Sequence, residues 1–385
     1  MRPLRICIGD RSMALNPQAG GHWIVYLQYL LGLQALGHDV FLMELLKSTG
    51  DARTDEGHVT EFYRRLESFD LKQQCFVLVY NAWPPDIDSA TVYGKTRAEA
   101  LELIKSADML WNLCCHVREP LLSLFRHRVL LDLDPGHLQL SATAVTMDID
   151  THDTFLTVGQ KINDPDSDIP QLGKAWHAVK PFVYLPIWPV EPDPGAAAPM
   201  TSVTHWGWGG ELSWRGRLIS ISKRDAYLRY LDLPVLVRRA FELAANIHPD
   251  DHTGDRELLG RHGWRLINPW EAVASPGSYQ GYLAASRAEI LCPKPVYREL
   301  KTGWVSDRSL GYLASGRPVI TEDTGLSDHL PMGEGFLTFQ DMPGAVAAVE
   351  EIDGNYQRHS AAARKFAEEH FDSSRCLTAM IAACN

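Results

Sequence analysis

The sequence lacks any long hydrophobic run, and no stretch approaches the roughly 18 apolar residues that suggest a membrane-spanning helix. Only a few apolar residues precede Gly9 and Asp10, and this run is too short for the hydrophobic core of a signal peptide. The 7 cysteines are odd in number and irregular in spacing, which argues against a disulfide framework. We therefore expect a cytoplasmic protein with reduced thiols and no membrane span.

Positive charge is also scarce. Lysine and arginine number 37 against 48 aspartates and glutamates, so the formal net charge is −11. A non-specific nucleic-acid binder needs a basic face, and we expect no nucleic-acid partner. Apolar residues at 45% and charged residues at 22% are ordinary globular values, and at about 150 residues per domain the 385 residues predict two domains.

Short apolar runs alternate along the chain with segments of helical periodicity. Runs at 4–8, 76–80 and 288–292 predict buried strands, and segments such as 120–126 and 235–245 predict helices between them. Strands that alternate with helices indicate βαβ units and a parallel sheet. The sequence therefore predicts an α/β protein.

A proline-rich segment interrupts this alternation, with five prolines within residues 186–200. Proline removes a backbone donor and fixes φ, so the segment favours a hinge over a helix or a central strand. We expect two Rossmann-like α/β domains at 1–190 and 201–365, a hinge at 191–200, and a final helical segment at 366–385. Ligands of such folds bind at the carboxyl ends of the strands, so a cleft between the domains is the expected site.

The first motif is Gly20-Gly21-His22, which follows the first strand and opens the first helix. Glycines there let a ligand approach the backbone, and a helix N-terminus favours an anion. A plain turn is the alternative. Gly37-His38-Asp39-Val40 follows as a helix stop and a second strand, and the dinucleotide-binding pattern Gly-x-Gly-x-x-Gly is absent.

The second motif covers residues 301–321 and reads as a loop, a short helix and a strand. Ser306 suits an N-cap, and Arg308 beside the free amides of a helix start suits a diphosphate. Lys301 belongs to a local basic cluster, for which a solvated surface is the alternative. Asp323 follows the strand, where an ordinary Asx turn is the alternative to a ligand contact.

Together the two motifs resemble those of nucleotide-sugar glycosyltransferases with the GT-B fold. The resemblance implies two Rossmann-like domains that face a cleft, with the acceptor on the first domain and the donor on the second. It implies sugar transfer from a nucleoside-diphosphate sugar to a small-molecule acceptor, with no metal or other cofactor. The final helix would cross back to the first domain, and the unusual donor motif suggests a secondary-metabolite acceptor, as in natural product biosynthesis.

The resemblance also implies roles for individual residues. His22, with a pKa suited to a base, and Arg308 would be catalytic, although a helix-start histidine that merely packs is the alternative for His22. The donor contacts would be Gly20, Gly21, Lys301, Gly303, Trp304, Ser306, Asp307, Ser309, Asp323, Thr324 and Gly325. The acceptor contacts would be His116, Asp134 and Trp206, where core packing is the alternative for Trp206.

The sequence departs from the family pattern in one important place. Many retaining members carry two glutamates in the donor stretch, and these positions are Gly303 and Gly311 here, so the usual ribose contact is missing. Two alternatives therefore stay open, a sugar-nucleotide epimerase of the same fold and a non-catalytic partner subunit. The acidic string at 164–168 is not a calcium loop, because Ile169 and Ala175 occupy the positions that need glycine and glutamate.

Overall fold

A computed structural model describes residues 2–207, 209–248 and 251–384. The first half of the chain alternates strands and helices, as the apolar runs predict. Its elements are β1 (Arg5–Asp10), α1 (Gly20–Ala35), β2 (Asp39–Lys47), α2 (Ala52–Glu67), β3 (Cys75–Tyr80), β4 (Thr91–Tyr93), α3 (Arg97–Ser106), β5 (Met109–Leu113), β6 (Arg128–Asp132), α4 (His137–Ala144), β7 (Thr154–Thr157) and β8 (Trp176–Ala178).

These strands form one eight-stranded sheet in the order β4-β3-β2-β1-β5-β6-β7-β8. All neighbours are parallel except β3 and β4. β1 and β5 are adjacent although three strands, β2, β3 and β4, separate them in the chain, so the strand order reverses there. The crevice at such a reversal is where doubly wound sheets bind ligands.

The second half of the chain repeats the pattern after the proline-rich segment. Its elements are β9 (Met200–Thr204), β10 (Glu211–Trp214), β11 (Arg217–Ser220), α5 (Lys223–Leu228), α6 (Leu233–Val237), β12 (Phe241–Ala245), α7 (Asp255–Arg261), β13 (Trp264–Ile267), α8 (Pro269–Ala272), α9 (Pro276–Ala284), β14 (Ala288–Leu291), α10 (Pro295–Glu299), α11 (Asp307–Ala314), β15 (Val319–Glu322), β16 (Phe336–Phe339), α12 (Met342–Gly354), α13 (Tyr356–His370) and α14 (Ser373–Ala383).

The second sheet has six parallel strands in the order β13-β12-β9-β14-β15-β16, with the reversal between β9 and β14. This is the Rossmann order, and with the first sheet it confirms the predicted α/β class with two Rossmann-like domains. The strands are buried on both faces because helices cover them, which is why they read as continuous apolar runs.

The last helix returns to the first domain. Leu377, Met380 and Ile381 on α14 are buried in the same apolar cluster as Leu27 and Leu30 on α1. The chain thus ends on the domain in which it began, and this contact ties the two halves together on the side away from the cleft.

Two sequence expectations for local structure were wrong. Within 235–245, α6 stops at Val237, Arg238 adopts the left-handed conformation with φ 52°, and Phe241–Ala245 is strand β12. A short buried apolar run cannot be assigned to helix or strand by periodicity alone. Residues 120–126 contain only a short 3₁₀ turn, at Leu122–Leu124. Residues 205–210, which follow β9, are rich in glycine and lead into the hairpin β10–β11. Trp208 in this segment lies outside the described residues.

Candidate functional site

A cluster of polar side chains lies at the carboxyl edge of the first sheet, where the strand order reverses. Asp10 is the last residue of β1, and His116 follows β5; their side chains are 2.7 Å apart, Nδ1 to Oδ1. The Ser12 hydroxyl contacts both Asp10 oxygens at 2.9 and 3.0 Å and the Nε2 of His22 at 2.7 Å. The predicted residues His22 and His116 are therefore joined through Asp10 and Ser12, which the sequence analysis did not select.

Asp10 is fully buried and remains ionised. Burial alone would raise its pKa, but the hydrogen bond from His116 and the charges of His116 and His22 hold the pKa well below its usual range. Glu44 on β2 lies beside Asp10, and burial and the Asp10 charge raise the pKa of Glu44 well above its ordinary value. The first domain thus keeps one buried carboxylate charged and its neighbour protonated.

The hydrogen-bond network selects a tautomer of His22. Because Asp10 is an ionised acceptor, the single hydroxyl proton of Ser12 goes to it, and His22 Nε2 must then donate to the Ser12 oxygen. Burial lowers the pKa of His22, and the Arg308 charge lowers it further. A neutral imidazole with Nε2 protonated leaves Nδ1 as the proton acceptor.

Arg308 lies on the second domain, at the start of α11. Ser306 caps this helix as predicted, with its side chain accepting from the Arg308 amide at 3.2 Å. Arg308 and Asp307 both act electrostatically on His22, so the two predicted catalytic residues lie near each other although they belong to different domains. The start of α11 brings a guanidinium and helix-start amides to the same place.

Two residues beside Arg308 were missed by the sequence analysis, Lys223 on α5 and Glu289 on β14. Both are buried, at 5% and 0% relative exposure. Among the described residues, the Lys223 ammonium has no hydrogen-bond partner. The Ser309 hydroxyl and the Glu289 carboxyl lie close enough to act on each other but make no hydrogen bond of ordinary geometry. No sequence signal marks either position, because a lysine at a helix start and a glutamate in an apolar strand stand out only once their burial is known.

The charges of this cluster perturb one another. Burial, together with the charges of Arg308 and Lys294, lowers the pKa of Lys223 to about 7. Burial raises the pKa of Glu289 to about 7, opposed by the Ser309 hydroxyl and by Lys223. Buried polar groups without partners are costly and rare in native proteins, so this cluster indicates a place where a ligand completes the hydrogen bonds.

Most of the other predicted donor residues contact the first domain. Lys301 pairs with Asp166 at 3.2 Å, and Trp304 Nε1 donates to the Leu133 carbonyl at 3.3 Å. A Cβ on Gly303 or on Gly325 would press on the Lys161 side chain. The Gly303 amide donates to the Thr324 carbonyl, and Thr324 Oγ1 donates to the Trp304 carbonyl, so these residues brace one loop.

Lys161 is the centre of an interdomain clasp, which we define as residues 161–168 of the first domain with their charged partners on the second. Lys161 pairs with Asp328, and Asp164 accepts from His329 at 2.7 Å. Asp168 pairs with Arg215. The acidic string that fails as a calcium loop therefore serves to hold the second domain.

The two glycines of the first motif also serve the domain contact. The Gly20 amide donates to the Val273 carbonyl at 2.9 Å. A Cβ on Gly20 would overlap the Ser275 backbone, and one on Gly21 would lie 2.8 Å from the Tyr279 ring. Their small size lets the N-terminus of α1 pack directly against α9.

Asp323, Asp134 and Trp206 were also predicted site residues. Asp323 Oδ1 accepts from the Gly325 amide at 2.9 Å, which is the Asx-type turn that was the alternative for this residue. Asp134 pairs with Lys294 across the domain boundary at 2.6 Å.

The structure does not support the predicted contact of Trp206 with the acceptor. It is only 4% exposed, packs on Tyr227, and donates through Nε1 to Asp255 at 2.9 Å. No face of its ring is open to an acceptor, and the core packing weighed for it from the sequence is what the structure shows.

The described residues contain no group of three or more histidine, cysteine, aspartate or glutamate side chains placed to hold a metal ion. In the same part of the chain, no helix combines the length and apolar character that crossing a membrane requires.

Comparisons with known proteins place this architecture. No protein-family model matches the chain, and no curated protein matches it in sequence. An alpha-glucosyltransferase solved with UDP superposes with a TM-score of 0.63 at 12% identity, covering 99% of both chains. HepE from Anabaena, solved with UDP and glucose, superposes with a TM-score of 0.55 at 11% sequence identity, covering 98% of this chain and 99% of that one. Sucrose-phosphate synthase from Thermosynechococcus elongatus superposes with a TM-score of 0.58 at 11% sequence identity, covering 98% of both chains.

Proposed function

We propose that this chain, whose two domains form the GT-B fold of glycosyltransferases, transfers a sugar from a nucleoside-diphosphate sugar to an acceptor bound at the first domain. The observation that carries the proposal is the buried cluster of Lys223, Glu289 and Ser309 beside Arg308. Its Lys223 ammonium has no hydrogen-bond partner within the described residues, and the neighbouring Arg308 acts electrostatically on His22 of the first domain.

The second domain is proposed to hold the donor through its diphosphate. Arg308 offers a fork of donors that suits phosphate oxygens, and Lys223 offers a compact charge. The free amides at the start of α11 add to this field. The alpha-glucosyltransferase and HepE, whose folds are similar, were solved with UDP. This supports a nucleoside diphosphate as the anion.

The transfer step needs a base on one side of the cleft and charge stabilisation on the other. The acceptor hydroxyl oxygen bonds to the anomeric carbon as the bond from that carbon to the diphosphate oxygen breaks. The hydroxyl proton passes to Nδ1 of His22, and the electron pair leaves with the diphosphate. Asp10, through Ser12, holds the imidazole in position, and Arg308 and Lys223 stabilise the charge that develops on the leaving group.

Because Arg308 and Lys223 can stabilise the charge on the leaving diphosphate, we propose a metal-independent reaction with no cofactor beyond the donor. The acceptor is proposed to be a small molecule of a cytoplasmic, secondary-metabolite pathway, supported by the net charge of −11, which disfavours a long anionic partner. An alpha-glucosyltransferase of similar fold was solved with UDP-glucose and DNA. DNA binding is a property of that protein, and we do not propose it for this chain.

The test is calorimetric binding of UDP, GDP, ADP, dTDP and CDP to the wild type and to Lys223→Met and Arg308→Ala. We expect one nucleotide to bind without magnesium, and each variant to weaken it by about tenfold or more, since a charge-assisted hydrogen bond contributes about 1.5–3 kcal/mol. Lys105→Met is the matched control, because Lys105 is an exposed residue of α3. Equal affinities in all four proteins would overturn the donor site.

Product analysis separates the two rivals. An epimerase converts the donor sugar without any acceptor, whereas a transferase releases nucleoside diphosphate in proportion to glycosylated acceptor. A non-catalytic subunit that has lost the donor site does neither and binds no nucleotide. Direct displacement with His22 as the base predicts inversion at the anomeric carbon. Retention would contradict that role for His22 and leave the donor site standing.

A further inference from the structure

An exposed tryptophan lies between arginines at the carboxyl edge of the first sheet. Trp83, in the loop after β3, is 43% exposed. The guanidinium carbon of Arg11 lies 5.1 Å from its ring centroid, and that of Arg118 lies 6.0 Å away. Tyr80 packs on the same tryptophan, with ring centroids 5.9 Å apart. We call Arg11, Tyr80, Trp83 and Arg118 the arginine–tryptophan patch.

Arg11 is the cation of this patch whose charge is not neutralised. Arg118 pairs with Asp148 at 2.7 Å and with the Thr146 carbonyl. The Arg11 side chain is exposed, and among the described residues it makes no ion pair and no hydrogen bond. Its five donors are therefore available to a ligand, while the tryptophan limits where the guanidinium can move.

The patch adjoins the proposed reaction centre by direct chain connection. Arg11 follows Asp10, and Arg118 stands two residues after His116, so both arginines extend from the residues that position His22. An acceptor whose hydroxyl reaches His22 would have the rest of its structure within reach of this patch. This inference rests on the proposed function.

We propose that the arginine–tryptophan patch binds an acidic group on the acceptor, so that the acceptor is a small oxyanion-bearing molecule, such as a sugar phosphate or a sugar acid. Arg11 forms the ion pair through its planar fork. Trp83 and Tyr80 offer apolar ring surface on which the body of the acceptor packs. The acidic group then fixes which hydroxyl points toward His22.

A nucleic acid would present the same phosphate chemistry, but the patch does not favour one. A strand needs a row of cations along its backbone, and here one uncompensated arginine stands in a chain of net charge −11. A single anionic group matches a single available guanidinium. The small anionic acceptor is therefore the class that we infer.

The experiment measures acceptor binding by calorimetry to the protein saturated with the nucleoside diphosphate that it binds, so that the donor cations are already occupied. The probes are glucose, glucose 6-phosphate, glucuronate, inorganic phosphate and a single-stranded oligonucleotide. We expect an anionic sugar to bind about tenfold or more tighter than glucose, because a charge-assisted hydrogen bond contributes that much. Arg11→Ala should remove most of the difference, and Arg11→Lys should restore part of it.

Arg53→Ala is the matched control, since Arg53 is an exposed arginine on α2. Phosphate or sugar binding that is the same in Arg11→Ala as in the wild type, or absent in both, overturns the proposal. Preference for the oligonucleotide over every small anion also overturns it. Failure of every nucleoside diphosphate to bind is a different result, because it removes the proposed donor site.

Discussion

Lys223 shows most clearly how function and stability oppose each other at a single residue. Its ammonium is buried without a partner among the described residues, and such a group costs about 1–3 kcal/mol. We expect Lys223→Met to raise the free energy of unfolding of the ligand-free protein by about 1–3 kcal/mol, while it removes stabilisation by the nucleotide. Denaturant unfolding with and without nucleotide checks both signs; a variant that loses stability in both states would contradict the role.

The pH dependence of this stability follows from the same residue. The folded pKa of Lys223 is about 7, below its ordinary value of 10.5, so between these values the unfolded chain binds more protons than the folded chain. Stability from this group therefore rises with pH across that window. Lys223→Met should flatten the rise.

Nucleotide binding should take up protons near neutral pH. A bound diphosphate favours the charged form of Lys223, and a protonated Glu289, whose pKa is about 7, adds no repulsion. We expect affinity to rise as the pH falls from 8 to 7, by at most about tenfold for each proton taken up. Calorimetry in buffers of different ionisation enthalpy measures the uptake. Lys223→Met, as the control, should lose the share of the uptake that belongs to Lys223; an unchanged uptake in that variant would contradict the assignment.

His22 should affect chemistry more than nucleotide binding. We expect His22→Ala to lower kcat by about 10²–10⁴-fold, the usual contribution of a general base, with UDP affinity little changed. Asp10→Asn should lower kcat through the loss of the His22 orientation. Steady-state rates alongside UDP titrations separate the two effects, and a variant with normal kcat would exclude His22 as the base.

At the scale of elements, the contact between α1 and α9 depends on glycine. An alanine at Gly20 would overlap the Ser275 backbone, and backbone cannot rotate away as a side chain can. We expect Gly20→Ala to destabilise the protein by about 1–3 kcal/mol, as overpacking does. Gly57→Ala on α2 is the control, since nothing lies within 4 Å of its Cβ, and it should stabilise by about 0.5–1 kcal/mol. Thermal unfolding compares them; equal effects would contradict the contact.

Elements were predictable from sequence where one local signal sufficed. The Ser306 cap and the alternation of strands and helices follow from side-chain chemistry and burial. Strand β12 was not predictable, because 235–245 is mostly apolar and its pattern fits a helix as well as a strand, whereas Arg238 in its left-handed conformation divides it. Gly311, at a position where many retaining GT-B enzymes carry a glutamate, packs against Trp188, which precedes the hinge. This contact joins residues far apart in sequence.

At the scale of the whole molecule, the site could be predicted only in part, because it is built from both domains. The sequence indicated His22, His116 and Arg308, each beside a recognisable helix start or strand end. Lys223 and Glu289 carry no such signal. Four residues predicted for the donor, Lys301, Gly303, Trp304 and Gly325, instead lie against the first domain. The Lys161–Asp328 and Lys301–Asp166 pairs there join residues more than 130 positions apart.

One measurement tests the central claim of a nucleotide-sugar site most directly. It is the thermal stability of the wild type with UDP, dTDP, GDP, ADP and CDP, each with magnesium and with a chelator. Ligand at 100 times its Kd adds about 2.7 kcal/mol, a shift of several degrees. We predict that one nucleoside diphosphate gives this shift equally under both conditions. No shift with any of the five, or a shift that requires magnesium, would contradict a site built from Lys223 and Arg308.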